Sequence, residues 1–227
     1  MNFSRLFSAP LLGVAFLGAL AAPLRAAEAP SAWRQVEKKG DITLYERDKP
    51  GSSIKEVRAV GTFSSPNWMI RNVLDDTEHY TQFMPYVIQS RILACDPAKR
   101  QLLAYAEINP PVVSRRDYTI LITDESRKGP GEGEMTYVTR WQDANTKGPA
   151  EKSGVVRVKN NDGSWLLEPT DGGQHTKATY TLYTDGGGGV PAFLLNRLNK
   201  QRLTELFEIV GKRVQKEQYR QNKPALP

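Results

Sequence analysis

The sequence has little of what metal sites and disulfide frameworks require. Its 227 residues include one cysteine, Cys95, and two histidines, His79 and His175, which lie far apart. A single cysteine excludes a disulfide framework within the chain and a zinc site built on cysteines. The two histidines share no motif with metal-ligand spacing. The sequence therefore predicts no metal site.

Signs of nucleophilic catalysis and of nucleic-acid binding are also lacking. No serine or cysteine stands in an arrangement typical of an activated nucleophile, so we expect no catalytic residues. The basic pair Arg115-Arg116 is too short to form a nucleic-acid patch, and no aromatic residues alternate with bases around it. We therefore expect no nucleic-acid partner.

Long hydrophobic runs are scarce, and the clearest one lies at the N-terminus. Leu11 to Ala22 is an apolar run of 12 residues that follows Arg5 and precedes small residues at Ala26 and Ala27. A membrane span needs ~20 residues, so this pattern predicts a secretory signal peptide over residues 1–26. An uncleaved membrane anchor is the alternative. We expect export, with a bacterial periplasm as the best fit.

The remaining segment, residues 27–227, has a composition typical of a folded protein. Loss of Arg5 and Arg25 with the leader would lower the net charge from +6 to +4. The 4 Trp, 9 Tyr and 7 Phe exclude a wholly disordered chain. There is no internal repeat and no low-complexity linker. We therefore expect one domain, with its core at about residues 33–218, in a monomeric protein.

Turn residues punctuate short runs rich in Val, Ile, Tyr, Thr and Trp, which is typical of consecutive antiparallel strands. Asn160-Asn161-Asp162-Gly163 is one such predicted turn. The predicted strands are 42–47, 54–63, 87–94, 101–108, 116–123, 134–142, 154–160, 164–169 and 175–184.

Two segments have helical periodicity instead. Pro66 to Asp76 follows two serines and predicts a short helix. From Pro191 to about Gln218 the apolar residues recur at i, i+3 and i+4, which predicts a long amphipathic helix. A long antiparallel sheet closed by one helix is an α+β arrangement. A curved sheet and a single helix leave space between them, which favours a hydrophobic cavity.

Several local patterns resemble the START domain (steroidogenic-acute-regulatory-protein-related lipid transfer) family. The matching stretches run, in order, from Trp33 to about Val214. They are Trp33 to Val36 followed by Gly40 to Arg47, then Arg116-Asp117-Tyr118, Gly154 to Arg157, Gly163 to Trp165, Leu167 to Pro169, and Gly188 to Pro191 followed by Phe193 and Asn196. Their order and spacing carry the resemblance.

The resemblance implies a helix-grip fold, in which the curved sheet wraps around the C-terminal helix and encloses one lipid-sized tunnel without a cofactor. It also implies that the C-terminal helix and a nearby loop act as a lid. The family implies a lipid ligand but does not fix its class.

Alternation along the strands selects candidate tunnel residues. On strand 116–123, Arg116, Tyr118, Ile120 and Ile122 form the bulkier face, which resembles the inward set of the family. We expect ligand contacts from these four and from neighbours on other elements. The neighbours are Leu103, Tyr105 and Glu107 on one strand, Tyr137, Thr139 and Trp141 on another, and Phe193, Leu194 and Leu198 on the C-terminal helix.

Pairing Ile108 with Arg115 across the intervening turn would place Glu107 opposite Arg116, with both side chains facing inward. They would then form a buried ion pair that anchors a ligand hydroxyl or headgroup. The alternative is a structural pair at the tunnel end or an exposed pair at its rim. For Tyr137, Thr139 and Trp141 the alternative is ordinary core packing.

Two further expectations concern membrane contact and gating. Residues 190–227 carry eight bases against three acids, which favours transient docking on an anionic membrane. A solvated outer helix face is the alternative. The polar loop Gln142 to Ser153 and the apolar segment Val190 to Leu194, which follows four glycines, are the predicted lid. A rigid loop over an open mouth is the alternative.

These features favour a non-catalytic lipid-binding or lipid-transfer protein. A polyketide cyclase or aromatase of the same superfamily is the alternative. It would need a general base and an oxyanion-stabilising group in the cavity, and only Glu107, Arg116 and Tyr118 qualify for these roles. An interaction module with a collapsed core is a third possibility.

Overall fold

The computed structural model describes residues 31–221, so the predicted signal peptide lies outside the described residues. Eleven strands form an antiparallel sheet with one short parallel strand. The strands are β1 (Arg34–Lys39), β2 (Ile42–Arg47), β3 (Glu56–Phe63), β4 (Val87–Asp96), β5 (Gln101–Ile108), β6 (Arg116–Asp124), β7 (Arg127–Lys128), β8 (Met135–Asp143), β9 (Val156–Arg157), β10 (Asn160–Thr170) and β11 (His175–Asp185). The α-helices are α1 (Asn67–Asp75), α2 (Tyr80–Phe83) and α3 (Ala192–Arg213).

The sheet is curved and its order is β1-β2-β3-β11-β10-β8-β6-β5-β4. The last strand, β11, pairs with β3 from the N-terminal half, so the two halves of the chain form one sheet. Outside this order, β7 pairs with β8, and β9 pairs with β6 in parallel. The predicted α+β helix-grip fold is therefore confirmed.

Alternation of buried residues explains why the strands form where the sequence predicts them. Along β3, Val57, Ala59, Gly61 and Phe63 are buried while their neighbours are half-buried or exposed. This period of two places one face on the core, and it is repeated in β11. Most predicted strand boundaries lie within two residues of the observed ones.

The helix α3 packs its apolar stripe on the sheet, as predicted. Leu203, Phe207 and Val210 are buried, and the Phe207 ring stacks on Phe63 with ring centroids 5.2 Å apart. The helix approaches β3 closely at Gly61, where a Cβ atom would stand 2.8 Å from the Phe207 ring. It ends at Arg213, five residues earlier than predicted, and Tyr219 in a following 3-10 turn is buried beside it.

Five features differ from the prediction. The strands β1 and β7 and the short helix α2 were not predicted. The predicted turn at Asn160–Gly163 is wrong, because these residues begin the continuous strand β10, which pairs with β11 from Asn160 to Thr170. The predicted strand 154–160 is reduced to the two-residue β9.

Neighbouring strands satisfy the polar side chains of this segment. The Trp141 indole N–H donates to Asn161 Oδ1 at 3.2 Å, and the Asp143 backbone N–H donates to Asp162 Oδ1 at 2.9 Å. Residues that commonly form turns can therefore remain in a strand, because their side chains hydrogen-bond across the sheet rather than to their own backbone.

Replacing Gly163 with alanine is expected to lower the free energy of unfolding by about 1–3 kcal/mol, because overpacking forces neighbours apart. A Cβ atom there would stand 2.3 Å from Trp141 Cζ2 and 2.5 Å from the Thr181 carbonyl oxygen. Gly211→Ala on α3 is the matched control, since its nearest neighbour would be 3.6 Å away. That change should stabilise the helix by about 0.5–1 kcal/mol. Urea unfolding of both variants measures the difference, and equal effects would contradict the packing argument.

Candidate functional site

A cavity of about 570 Å³ lies between the sheet and α3. This volume is within the range of ~300–1,000 Å³ that is typical of small-molecule sites. Its wall is largely apolar and comes from several elements, mainly β5, β6, β8 and α3, together with the segment from α1 to the start of β4. Only the concave face of each strand can contribute, so the register of each strand pair decides which residues line the cavity.

The hairpin of β5 and β6 has a register one residue away from the predicted one. Ile108 pairs with Arg116 and Glu107 pairs with Asp117, whereas the sequence predicted Ile108 opposite Arg115. A shift by one residue moves every side chain to the opposite face. The lining residues of β5 are therefore chiefly Leu102, Ala104, Ala106 and Ile108.

Two predicted contacts on β5 are thus corrected. Leu103 and Glu107 do not border the cavity, so their predicted placement on the cavity face is wrong. Tyr105 borders the cavity as predicted, although its hydroxyl donates to Asp117 Oδ2 at 3.1 Å on the other face of the sheet.

Most of the cavity residues predicted on β6 and β8 do border the cavity. Arg116, Tyr118, Ile120 and Ile122 of β6 all border the cavity. Thr139 and Trp141 of β8 border it too, but Tyr137 does not. The Tyr137 ring packs in the core under Arg71 of α1, with the guanidinium carbon 5.5 Å from the ring centroid. For Tyr137 the alternative of ordinary core packing is the correct one.

The cavity face of α3 begins later than predicted. Leu198 borders the cavity, as do Leu195, Arg202 and Leu206, at intervals of three, four and four residues. Phe193 and Leu194 are not among the lining residues. Phe193 is 76% exposed, because its position on the helix turns it away from the sheet.

The predicted ion pair between Glu107 and Arg116 is wrong. Glu107 is buried on the outer face of the sheet, where it pairs with Arg115, and Lys152 Nζ donates to Glu107 Oε2 at 2.8 Å. The hydrogen bond from Lys152, together with Arg115, lowers the pKa of Glu107 against the effect of burial. Arg116 instead faces the cavity side, where its Nε donates to the Gly186 carbonyl oxygen at 3.1 Å.

The loop between β8 and β9 covers the outer face of β6 rather than the cavity. Asn145 Oδ1 accepts the Thr119 backbone N–H at 2.9 Å, and Gly148 lies so close to Thr119 that a Cβ atom would stand 1.9 Å from its hydroxyl oxygen. Arg157 Nη2 donates to the Pro149 carbonyl oxygen at 3.0 Å. None of these loop residues borders the cavity. The hypothesis that residues 142–153 cover the cavity mouth is therefore wrong.

One end of the cavity is lined by paired charges. Asp124 accepts hydrogen bonds from Ser126 and forms ion pairs with Arg71 at 3.3 Å and Arg100 at 2.9 Å. Burial opposes the charged form, but the hydrogen bonds from Ser126 and the charge on Arg71 hold the pKa of Asp124 well below its usual range. Asp124 is therefore ionised and neutralised near pH 7, and it is a poor candidate for a general base.

Cys95 is exposed and borders the cavity. Within residues 31–221, no group of three His, Cys, Asp or Glu side chains is placed to hold a metal ion. None of the described helices combines the length and the apolar character needed to cross a bilayer.

Sequence reasoning missed two kinds of lining residue. Asn161 was assigned to a turn, and Arg202 was counted with a basic surface. Arg202 stands seven residues after Leu195, which places both on one stripe of α3. That spacing could have identified Arg202 as a cavity residue. It was overlooked because arginine is usually assigned to the solvent-exposed side of a helix.

Comparisons of the sequence and of the structure with known proteins match proteins of one family. The family model described as START domain matches residues 21–220. A phosphatidylcholine transfer protein of Rattus norvegicus is 27% identical over 167 residues, which cover 72% of this chain and 75% of that protein.

Two solved structures show the same fold. The STAR-related lipid transfer protein from Xanthomonas axonopodis has a TM-score of 0.71 at 22% identity, with 82% of this chain and 100% of that chain covered. Human STARD10 has a TM-score of 0.72 at 15% identity, with 85% of this chain and 76% of that chain covered.

Proposed function

Because the chain belongs to the START domain family, we propose that it is a non-catalytic carrier that holds one lipid in the cavity between the sheet and α3. Its lipid-transfer relatives support a lipid-binding or lipid-transfer role. The observation that carries the finer proposal is the cavity itself, which has a largely apolar wall. The carrier is proposed to act as a monomer and without a cofactor.

The energetics of such a site favour burial over specific polar contacts. Each buried methylene group contributes about 0.8 kcal/mol, so an acyl chain needs few hydrogen bonds to be held. The titratable groups at the Asp124 end are neutralised by one another, and Glu107 lies on the opposite face of the sheet. Both observations favour a carrier over the polyketide cyclase alternative, which needs an unpaired acid or base in the cavity.

Native mass spectrometry of protein purified from its own cell envelope tests this proposal. A stoichiometric lipid on a monomeric chain is the expected result. A preparation without lipid that converts a small aromatic or polyketide substrate would contradict it. Solvent extraction of the same sample then identifies the lipid class.

We propose that ligand passes the loop of residues 109–115 and the start of α3. Pro110 and Val113 of this loop border the cavity, as does Leu195 in the first turn of α3. Gly187, Gly188 and Gly189 before the helix all have positive φ, a conformation that glycine adopts without strain. The helix start can therefore shift while Leu203 and Phe207 stay packed.

Two exposed apolar side chains on these segments support contact with a membrane. Val112 and Phe193 are each 76% exposed, and each lies within three residues of a cavity-lining residue. The basic residues of segment 190–227 offer less free positive charge for membrane docking than the sequence suggested. Arg213 is buried beside Tyr219, and Lys200 pairs with Glu46. We therefore propose that the side chains of Val112 and Phe193 insert into the surface of anionic membranes and make the main contact.

Replacing both Val112 and Phe193 with serine is expected to lower vesicle binding severalfold, because the variant loses two apolar side chains that would enter the membrane surface. Flotation with vesicles that contain anionic lipid measures the change. Ile88→Ser, at another exposed apolar position, is the control. An equal loss in the control, or no loss in the double variant, would contradict the docking proposal.

We further propose that the protein is exported to a bacterial periplasm after cleavage of residues 1–26. The proposal depends on the apolar run and the small residues that follow it. N-terminal sequencing of the mature protein should begin near Ala27. Recovery of chains with an intact Met1 in the membrane fraction would contradict it.

A further inference from the structure

Arg116 is a buried cation whose hydrogen bonds reach only neutral acceptors. It is 4% exposed, and it donates to the carbonyl oxygens of Gly186 and Ser114. Burial, together with the positive charge on Arg202, lowers the pKa of Arg116. Within residues 31–221, no carboxylate forms an ion pair with it. The side chain borders the cavity and keeps N–H groups available on Nη2.

Arg202 borders the same cavity from α3. Its guanidinium carbon lies 4.6 Å from the centroid of the Tyr86 ring, and the Tyr86 backbone carbonyl oxygen accepts the Asn109 backbone N–H at 2.8 Å. Burial lowers the pKa of Arg202, and Glu205 on the same helix opposes this effect from beyond ion-pair distance. In the part of the chain that the structure describes, the Arg202 guanidinium makes no hydrogen bond.

Two other arginines, one that borders the cavity and one outside it, have the carboxylate partners that Arg116 and Arg202 lack among the described residues. Arg71 pairs with Asp124 at 3.3 Å, and Arg157 pairs with Asp117 at 2.7 Å. Removing a charge from water is costly unless a counter-charge compensates for it. Two neighbouring arginines at one cavity without such a counter-charge therefore create a local positive potential, which an anion supplied from outside would neutralise.

We propose that Arg116 and Arg202 form an anion site that binds the headgroup of the carried lipid through anionic oxygens. This inference rests on the proposed lipid-carrier function and adds the ligand class to it. The guanidinium fork matches the oxygens of phosphate and carboxylate groups, and such charge-assisted hydrogen bonds are about twice as strong as neutral ones. The site therefore favours a phospholipid or a fatty acid over a neutral sterol or a diacylglycerol.

The test compares lipids that differ only in the charged group. Full-length protein is incubated with vesicles that contain phosphatidylglycerol or diacylglycerol with identical acyl chains, and the protein-bound lipid is quantified. Wild-type protein should bind phosphatidylglycerol at least about tenfold more tightly, since hydrogen bonds to a charged group are stronger than those to a neutral one. A parallel incubation with a fatty acid shows whether the site binds a carboxylate as well as a phosphate. Inorganic phosphate is added as a competitor to test whether the site binds a free anion.

Variants assign the effect to the arginines. Arg202→Met keeps the aliphatic stem and should lose about tenfold in phosphatidylglycerol affinity, a much larger loss than for diacylglycerol. Arg202→Lys should retain part of the affinity, and Arg197→Met, at an exposed position of the same helix, should behave as wild type. Arg116→Lys is the second variant, with thermal unfolding to verify that it folds.

Separate outcomes overturn separate statements. If folded wild-type protein binds none of these lipids, the lipid-carrier function fails. If diacylglycerol binds as tightly as phosphatidylglycerol, or if Arg202→Met and Arg116→Lys both keep full affinity, the carrier stands and the anion site is wrong. Displacement of phosphatidylglycerol by millimolar inorganic phosphate would show that the arginines bind a free anion, which overturns the headgroup assignment.

Discussion

Replacing Asp117 with alanine is expected to lower the free energy of unfolding by about 3–5 kcal/mol, the typical cost of removing one partner from a buried ion pair. Asp117 is 1% exposed and accepts two hydrogen bonds from Arg157, from Nε at 2.7 Å and from Nη2 at 3.1 Å. The Tyr105 hydroxyl donates to it as well, at 3.1 Å. The substitution leaves Arg157 without its counter-charge beneath the loop of residues 144–155.

Denaturant unfolding of a double-mutant cycle measures this coupling. The double variant Asp117→Ala/Arg157→Met should be more stable than the sum of the single variants predicts, because removing both charges leaves neither unpaired. Glu208→Ala removes the exposed pair with Lys39 and should change stability little. A loss at Asp117 no larger than the loss at Glu208 would show that the pair does not anchor the loop.

The architecture could be predicted from the sequence because the elements have strong periodicity. The alternation in β3 and β11 places one face on the core, and the stripe of α3 from Leu195 to Val210 repeats every three or four residues. These patterns are local, so a single sequence contains them. The strand β1 was missed because five of its six residues are exposed and it has no apolar face to show alternation.

The cavity face was predicted correctly on β6 but not on β5, because the local sequence of β5 does not show which of its faces meets the cavity. Both faces of β5 carry apolar residues, Leu102 and Ala104 on one and Leu103 and Tyr105 on the other. Only the pairing with β6 decides between them, and the length of the connecting loop leaves that pairing open by one residue. The outer face is identified by the charges it meets from distant segments, which local sequence does not contain.

The same limit explains the errors in the polar residues. Asn161 is kept in a strand by an indole N–H twenty residues away. Arg202 looked like a surface base because its environment, the cavity wall and the Tyr86 ring, is formed largely by other segments, and Tyr86 lies more than one hundred residues earlier in the chain. Lys152 and Gly148 tie their loop to β5 and β6 through contacts that no local pattern in residues 142–153 reveals.

Replacing Ala104 with tryptophan is expected to reduce lipid affinity by about thirtyfold. Ala104 lies on the cavity face of β5, between Ile92 of β4 and Ile120 of β6, and all three border the cavity. An indole group at this position occupies space that an acyl chain would fill. Excluding two or three methylene groups from burial costs about 2 kcal/mol at ~0.8 kcal/mol each, which corresponds to that factor in Kd.

Leu103→Trp is the matched control, because Leu103 is the preceding residue of the same strand and faces away from the cavity. Lipid transfer between vesicles should be nearly normal in this control and strongly reduced in Ala104→Trp. The thermal stability of lipid-free Ala104→Trp should be unchanged or higher, since the new side chain fills an apolar cavity instead of crowding a packed core. If Leu103→Trp loses lipid affinity while Ala104→Trp keeps it, the ligand lies on the other face of β5, and the assignment of the cavity as the lipid site is wrong.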